Sequence, residues 1–412
     1  MMKTVQIVTV LVLFPQVAAA GDWPQILGPG RDGIARSETL LKTWPTAGPK
    51  EVWRVPVGEG FAGVAVTGET VVLFHRRQNS EIIEALSSAD GQSRWTSPAA
   101  CDYRSGMSSD SGPRCVPLIA GDRIYTFGAN GMLRCVRATD GREVWRRDTW
   151  PDFGAPEGYF GAGSTPILVD DRLIVNVGGR DNAAVVAFSA ADGKTIWQNV
   201  SDTASYSSPV QADIDGVAHV IVVTRLKTVS LNPENGEIRF EFPFGARGPT
   251  VNGATPVVIR NSVFVSSSYR VGSVLAKISA GGAQPKSSGE TLLATQYATP
   301  VRYNEVLFAV DGRQDTGRAS VCCIDPFSEK VLWQKEGFDY GSLLRVQDDM
   351  LFLTCEGELI RFRANTVGYN EVSRHQILQS TSRGYRLPAV SNGRLFVRDN
   401  STLKCLQVGH SR

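Results

Sequence analysis

Chemistry in this chain would come first from arginine. Arg76, Arg104, Arg114, Arg180, Arg225, Arg247, Arg270, Arg313, Arg383 and Arg386 all stand in connecting segments between short apolar runs. A guanidinium presents five donors in a rigid planar fork, which suits carboxylate or phosphate partners and stacks on aromatic rings. Other chemistries find less. His75, His219, His375 and His410 are scattered, and no His-x-x-x-His, Cys-x-x-Cys or Glu-x-x-His pattern exists, so the sequence offers no zinc site. There is no Gly-rich phosphate loop and no Gly-x-Ser-x-Gly elbow, which leaves phosphoryl transfer and serine hydrolysis without support. Seven cysteines leave at least one unpaired if all bridges are internal. Cys101 and Cys115 bracket an irregular stretch and either close a surface-loop disulfide in an oxidising compartment or stay free.

The elements that must position these groups announce themselves by repetition. Ala138 to Trp145 reads ATDGREVW, Ser88 to Trp95 reads SADGQSRW and Ala190 to Trp197 reads AADGKTIW, each with an Asp-Gly four residues ahead of a Trp. Asp-Gly between apolar runs is a strong hairpin signal, because both residues tolerate the positive φ of tight turns. Worn copies follow at Asn235-Gly236 with Phe240, and at Phe327 to Trp333, which keeps the Trp without the Gly.

A second column has the same period. Pro117, Pro166, Pro209, Pro256, Pro300 and Pro388 each open an apolar run, and worn units without the Pro lie at Phe61 to Arg77 and around Leu344. Roughly eight units of about 40 to 50 residues predict an all-β, eight-bladed propeller of four-stranded antiparallel blades. The strand at Glu51 to Arg54 lacks neighbours, while Leu387 to Gln407 supplies three strands and then ends, so N- and C-terminal strands are expected to share one blade and close the ring. The unit at Val274 to Leu293 has lost both turn and Trp, and Ser279 to Gly289 reads as a loop insertion. Counted along the third strand, one slot holds Ala85, Cys135, Ala187, Ser230, Ala276, Cys323 and Cys405, which implies a position that wants a small side chain.

These motifs resemble the PQQ-like eight-bladed propellers with their Ala-x-Asp-x-x-Thr-Gly-x-x-x-Trp docking repeats. The resemblance covers nearly everything from Glu51 onward. It implies that Trp53, Trp95, Trp145, Trp197 and Trp333 are structural, each docking between adjacent blades. The family includes quinone-dependent alcohol and sugar dehydrogenases and a non-catalytic BamB-like branch. Under the dehydrogenase alternative the chain would bind PQQ and Ca²⁺; under the other no cofactor is expected. Asp110, Asn252, Asp311 and Asp339 could reach the channel, but no motif groups them. The vicinal pair Cys322-Cys323 invites comparison with a disulfide near the quinone, yet neighbours in a strand point to opposite faces.

Composition agrees with a globular chain of 412 residues, 42% hydrophobic and 20% charged, and a net charge of +2 gives no case for nucleic-acid binding. Lys3, the apolar run Val5 to Phe14 and Ala18-Ala19-Ala20 predict a secretory signal over 1–20, cleaved near Ala20. An N-terminal arm over 21–50 with Trp23 as plug and a propeller domain over 51–412 follow. No Cys stands at the cleavage site, unlike a lipoprotein, and no transmembrane segment is expected.

Antiparallel order separates the charges. One face receives Arg77, Arg318 and the ten arginines above; the other receives Asp90, Asp122, Asp140, Asp170, Asp171, Asp192, Asp213, Asp215, Glu234, Glu305, Asp348 and Asp349. The basic face reads either as a recognition surface or as solvated turns, and the acidic face as turn chemistry. The sequence thus predicts an exported monomeric propeller, periplasmic or secreted, that scaffolds a protein or acidic ligand in the envelope.

Overall fold

The computed structural model describes residues 21–248, 250–279, 282–379 and 386–410; the expected signal at 1–20 and Arg383 lie outside them. Eight four-stranded antiparallel sheets follow one another around a ring. In the second blade Leu118–Ala120, Arg123–Phe127, Met132–Arg137 and Glu143–Asp148 run from inside to outside. The eighth blade joins Ala389–Ser391, Arg394–Arg398 and Thr402–Gln407 to Lys50–Pro56 as its outermost strand. The ring therefore has no open junction, and the chain termini are tied to each other by a full strand pairing.

All six repeated prolines stand one residue ahead of an inner strand, where a missing N–H costs no ladder bond. The residue just before the Pro does the opposite and makes a bond between blades. Val116 N donates to Thr165 Oγ1 at 3.0 Å, Thr165 N to Ser208 Oγ at 2.9 Å and Thr255 N to Thr299 Oγ1 at 2.9 Å. These hydroxyls satisfy inner-strand amides that no fifth strand is present to pair.

The Asp-Gly turns are longer than the sequence suggests. Ser87 N bonds Gln92 O and Gly91 N bonds Ser87 O, so four residues form the loop and Gly91 alone, at φ 75°, is left-handed. Asp90 instead accepts the Gln92 amide at 3.1 Å, as Asp140 and Asp192 accept the equivalent ones. The turn glycine has a second duty, because the indole of the preceding blade lies across it. A Cβ on Gly193 would stand 2.7 Å from the Trp145 ring, and one on Gly91 2.8 Å from Trp53. Each indole N–H then bonds a carbonyl of the next blade: Trp53 to Ser88, Trp95 to Ala138, Trp145 to Ala190, Trp197 to Pro233 and Trp333 to Asn365.

The small-residue slot is the cross-strand partner of that aromatic position. Ala85 pairs with Trp95, Cys135 with Trp145, Ala187 with Trp197, Ser230 with Phe240, Cys323 with Trp333 and Cys405 with Trp53. A β-bulge immediately precedes the aromatic in each case and turns the ring toward the neighbouring blade. In the fifth blade Ala276 faces Pro285 without a bulge. The segment read there as an insertion is the outer strand, Gly282–Ser288; its polar, Pro-containing sequence hid it because an outermost strand needs neither an apolar face nor every N–H. In the seventh blade the slot holds Arg361 opposite Ser373. Its guanidinium pairs with Asp349 at 2.7 Å, donates to Leu41 O at 2.7 Å and lies 5.4 Å from the Trp44 ring, so the arm provides the indole that the blade lacks.

The segment 21–44 runs across the ring from the side of the first-to-second-strand turns. Trp23 pairs with Val66, Pro24 O accepts from Ile119 N, Ala35 N bonds Arg345 O and Glu38 caps Asn392 and Gly393. Arg31, buried, donates to Thr165 O and Pro166 O at 2.8 and 2.9 Å. Burial lowers its pKa to about 9.

All seven cysteines are free. Of the two alternatives for Cys101 and Cys115, the structure has the free thiols, because the two sulfurs belong to separate cores, Cys101 with Tyr103 and Ala129, Cys115 with Leu118 and Phe127. Cys115 Sγ is engaged by Phe127 N at 3.3 Å, and the stretch between the cysteines is held by other means. Cys322 and Cys323 likewise divide between two cores, as the strand geometry requires.

Candidate functional site

One position of the repeat builds a cup around the axis. The residue three before each opening proline is Arg114, Gly163, Tyr206, Gly253 and Tyr297 in the second to sixth blades, and all five line a cavity of about 700 Å³. Large and glycine alternate for a steric reason. A Cβ on Gly163 would come 2.7 Å from the Tyr206 ring and 3.3 Å from the Arg114 stem, and one on Gly253 2.7 Å from Tyr297. Each glycine makes room for the side chain of a neighbouring blade to lie across it. Tyr385, at the same spacing before Pro388, lies outside the described residues.

Connections between blades line the cup, and so does Ile26 of the N-terminal segment. One wall is aromatic and cationic. The Arg114 guanidinium lies 4.8 Å from the Phe61 ring and 5.4 Å from Phe160, and Phe160 meets Tyr206 edge-on at 5.7 Å. Tyr206 accepts the Phe160 amide at 2.7 Å, and burial pushes its hydroxyl up to about 12. The other wall is a closed polar chain. Gln296 donates to Tyr269 OH at 2.7 Å and accepts Gln314 N at 2.8 Å; Arg313 lies 4.3 Å from Tyr269 and bonds Asp315 at 2.9 Å. Tyr297 packs against Tyr340 at 4.6 Å.

The arginines expected on one recognition face divide into three groups. Arg114 and Arg313 line the cup, while Arg180, Arg225 and Arg247 surround a second, shallower recess with Asp181 and Asp202. Arg225 is held there by the carbonyls of Thr250 and Gly248. Arg104 and Arg270 are exposed away from both. Arg76 and Arg386 leave the set. Arg76 is buried and donates to the carbonyls of Gln78, Cys101 and Tyr103 at 2.7 to 2.8 Å, which is what holds the 101–115 stretch. Arg386 is buried too, pairing with Asp110 at 3.2 Å and donating to Gly60 O at 2.7 Å. Both charges satisfy loop carbonyls that a strand ladder cannot reach.

The aromatic lining went unread in the sequence, although its signal was there: the same offset from the proline column that found the inner strands. Looking only for charge misses rings and glycines that matter by their spacing.

Calcium fits this lining poorly. Ca²⁺ takes six to eight oxygen ligands, and the carboxylate on the cup is Asp315, already paired with Arg313. Asp110 caps Gly60 and Gly112 and pairs with Arg386; Asp311 accepts Ala294 N at 2.8 Å, its pKa raised by burial; Asn252 donates to Thr224 and Arg225 carbonyls. Among the described residues no three His, Cys, Asp or Glu side chains gather as a metal site.

With the ring and the cup described, comparison with known proteins decides the family. The family described as outer membrane protein assembly factor BamB matches residues 78–291, more than half the chain. The chain belongs to it. A BamB of Burkholderia pseudomallei (strain K96243) is 25% identical over 276 residues, and the match spans 63% of this chain and 63% of that relative. Among solved structures, BamB from Moraxella catarrhalis superimposes with a TM-score of 0.61 at 12% identity, covering 87% of this chain and 99% of its own. Quinohemoprotein alcohol dehydrogenase from Comamonas testosteroni gives 0.65 at 12% identity over 96% and 82%. Identity this low establishes a shared fold between the BamB family, the dehydrogenase and this chain, and nothing about chemistry.

Proposed function

We propose that this chain is a non-enzymatic, exported BamB-like propeller that holds a protein or acidic ligand in the cell envelope. The observation that carries the reading is the cup. It is lined by rings and arginine and, among the described residues, by a single carboxylate that is already paired, so it is equipped to recognise an anion and offers no free base there for abstracting a proton. Eight stacked sheets form a stiff frame on which such a site needs no moving lid.

The test has two arms. Purified chain supplied with PQQ and Ca²⁺ is assayed for dye-linked oxidation of alcohols and sugars, and no turnover is expected. Wild type and an Arg114→Gln, Arg313→Gln double variant are used to capture envelope proteins, and a partner lost with the double variant is expected. Turnover, or capture indifferent to both substitutions, removes the proposal.

A further inference from the structure

The cup also specifies its ligand, on an inference that rests on the recognition reading above. Arg114 makes no ion pair among the described residues, while its Nε and Nη2 are buried without an acceptor and Nη1 reaches Gly112 O only at 3.3 Å. A donor on a buried charged group is costly to leave without an acceptor, and the ring contacts at 4.8 and 5.4 Å supply none. The second cation, Arg313, is already neutralised by Asp315. One uncompensated positive charge in an apolar cup calls for one negative charge; a dianion such as a phosphate monoester would carry an unpaired charge into it.

The body of the ligand follows from the rest of the lining. The Gln296 side chain is held by Tyr269 OH and the Gln314 backbone N–H, and Gln314 Oε1 accepts from Tyr297 OH at 3.4 Å, so a hydroxyl-rich sugar would find few free partners. Phe61, Phe160 and Tyr206 offer ring faces and edges instead. A cavity of about 700 Å³ is in the range that encloses a small organic molecule.

We propose that the cup binds a monoanionic aryl carboxylate of one or two rings, without metal, its carboxylate on Arg114 and its rings against the surface that Phe61, Phe160 and Tyr206 present to the cup. The Arg114 charge on the cup wall pairs with the carboxylate, and the glycines at 163 and 253 keep the space open.

Titration calorimetry of the full chain with 2-naphthoate and with neutral 2-naphthamide tests this. Naphthoate is expected to bind saturably and at least tenfold tighter than the amide, with no dependence on Ca²⁺. Arg114→Gln should weaken naphthoate at least tenfold while leaving the amide unchanged, and Arg180→Gln, outside the cup, should change neither. Should Arg114→Gln fail to fold by circular dichroism, Gly163→Ala serves in its place, since its methyl group displaces Arg114 and Tyr206 and should weaken naphthoate. Equal affinity for acid and amide, tighter binding of glucuronate, Ca²⁺-dependent binding of PQQ, or no binding of naphthoate would each overturn the assignment. Partner capture that persists without naphthoate binding would remove this inference and leave the scaffold reading in place.

Discussion

At the scale of single residues the structure is governed by indoles that reach from one blade to the next. Trp145 is buried to within 8%, crosses Gly193 and bonds Ala190 O at 3.0 Å. Trp145→Ala should destabilise the protein by about 3–5 kcal/mol in urea unfolding, from the cavity it leaves between two blades. A loss under 1 kcal/mol would mean the ring is not a working contact. Glu81 gives a pH-dependent counterpart. It is buried in the first blade, where Ala129 N donates to it at 2.9 Å, and burial pushes its carboxyl up to about 7 despite Arg76 and Arg134 nearby. The folded state thus binds a proton more tightly than the unfolded chain does. Its contribution is fully present below the unfolded carboxyl range and is lost as pH rises toward 7. Glu81→Gln, which keeps an acceptor for Ala129, should match wild type near pH 4 and gain relative stability by pH 8. A difference independent of pH in paired thermal melts would refute this. Such residue roles are partly legible in the chain. The Trp column repeats, whereas Glu81 sits in an ordinary strand and only packing by Gly128 and Ala129 isolates it.

At the scale of the element, six of the eight blades share one arrangement: an aromatic on the outer strand, a bulge that turns it, and a small residue opposite. The seventh blade replaces this with Arg361, Asp349 and the arm's Trp44. Asp349 also bonds exposed Arg363 at 2.8 Å. Asp349→Ala should therefore cost about 3–5 kcal/mol in chemical denaturation, because a buried guanidinium is left without its counter-ion. A cost below 1 kcal/mol would show that the carbonyl of Leu41 suffices. The substitution is invisible to pattern reading, since an arginine in a strand looks like solvent-facing charge until its neighbours are placed. The turn loops were similarly underread. Asp-Gly marks the place of the turn, but loop length depends on the bulge between turn and aromatic, which adds a residue to the outer strand.

For the whole molecule, stability rests on closing the ring. Lys50–Pro56 pairs with Thr402–Gln407, and Trp44 donates to Val408 O at 3.0 Å. Deleting residues 50–56 exposes the edge of Thr402–Gln407 and strips Trp53 from Ser88 and Gly91. Such a chain should aggregate during refolding at concentrations where wild type remains monomeric by light scattering. A monomeric, cooperatively melting product would show that the eighth blade stands without its fourth strand. A period of 40 to 50 residues, prolines ahead of the inner strands and a stranded N-terminal β-segment sufficed to foresee eight blades and the exchange between termini.

What the sequence determined by itself is everything that repeats, because each blade meets the same local demands of turn, pleat and neighbour, and identical demands leave a column in the chain. What only tertiary structure decided is everything that occurs once. Whether Arg76 is buried and Arg114 faces a cavity, whether two cysteines share a core, and which rings face one another across the axis depend on distances between blades that no local spacing encodes. The cup lies on that boundary. Its slot is periodic, but its character comes from the one arginine, the two glycines and the two tyrosines that fill it.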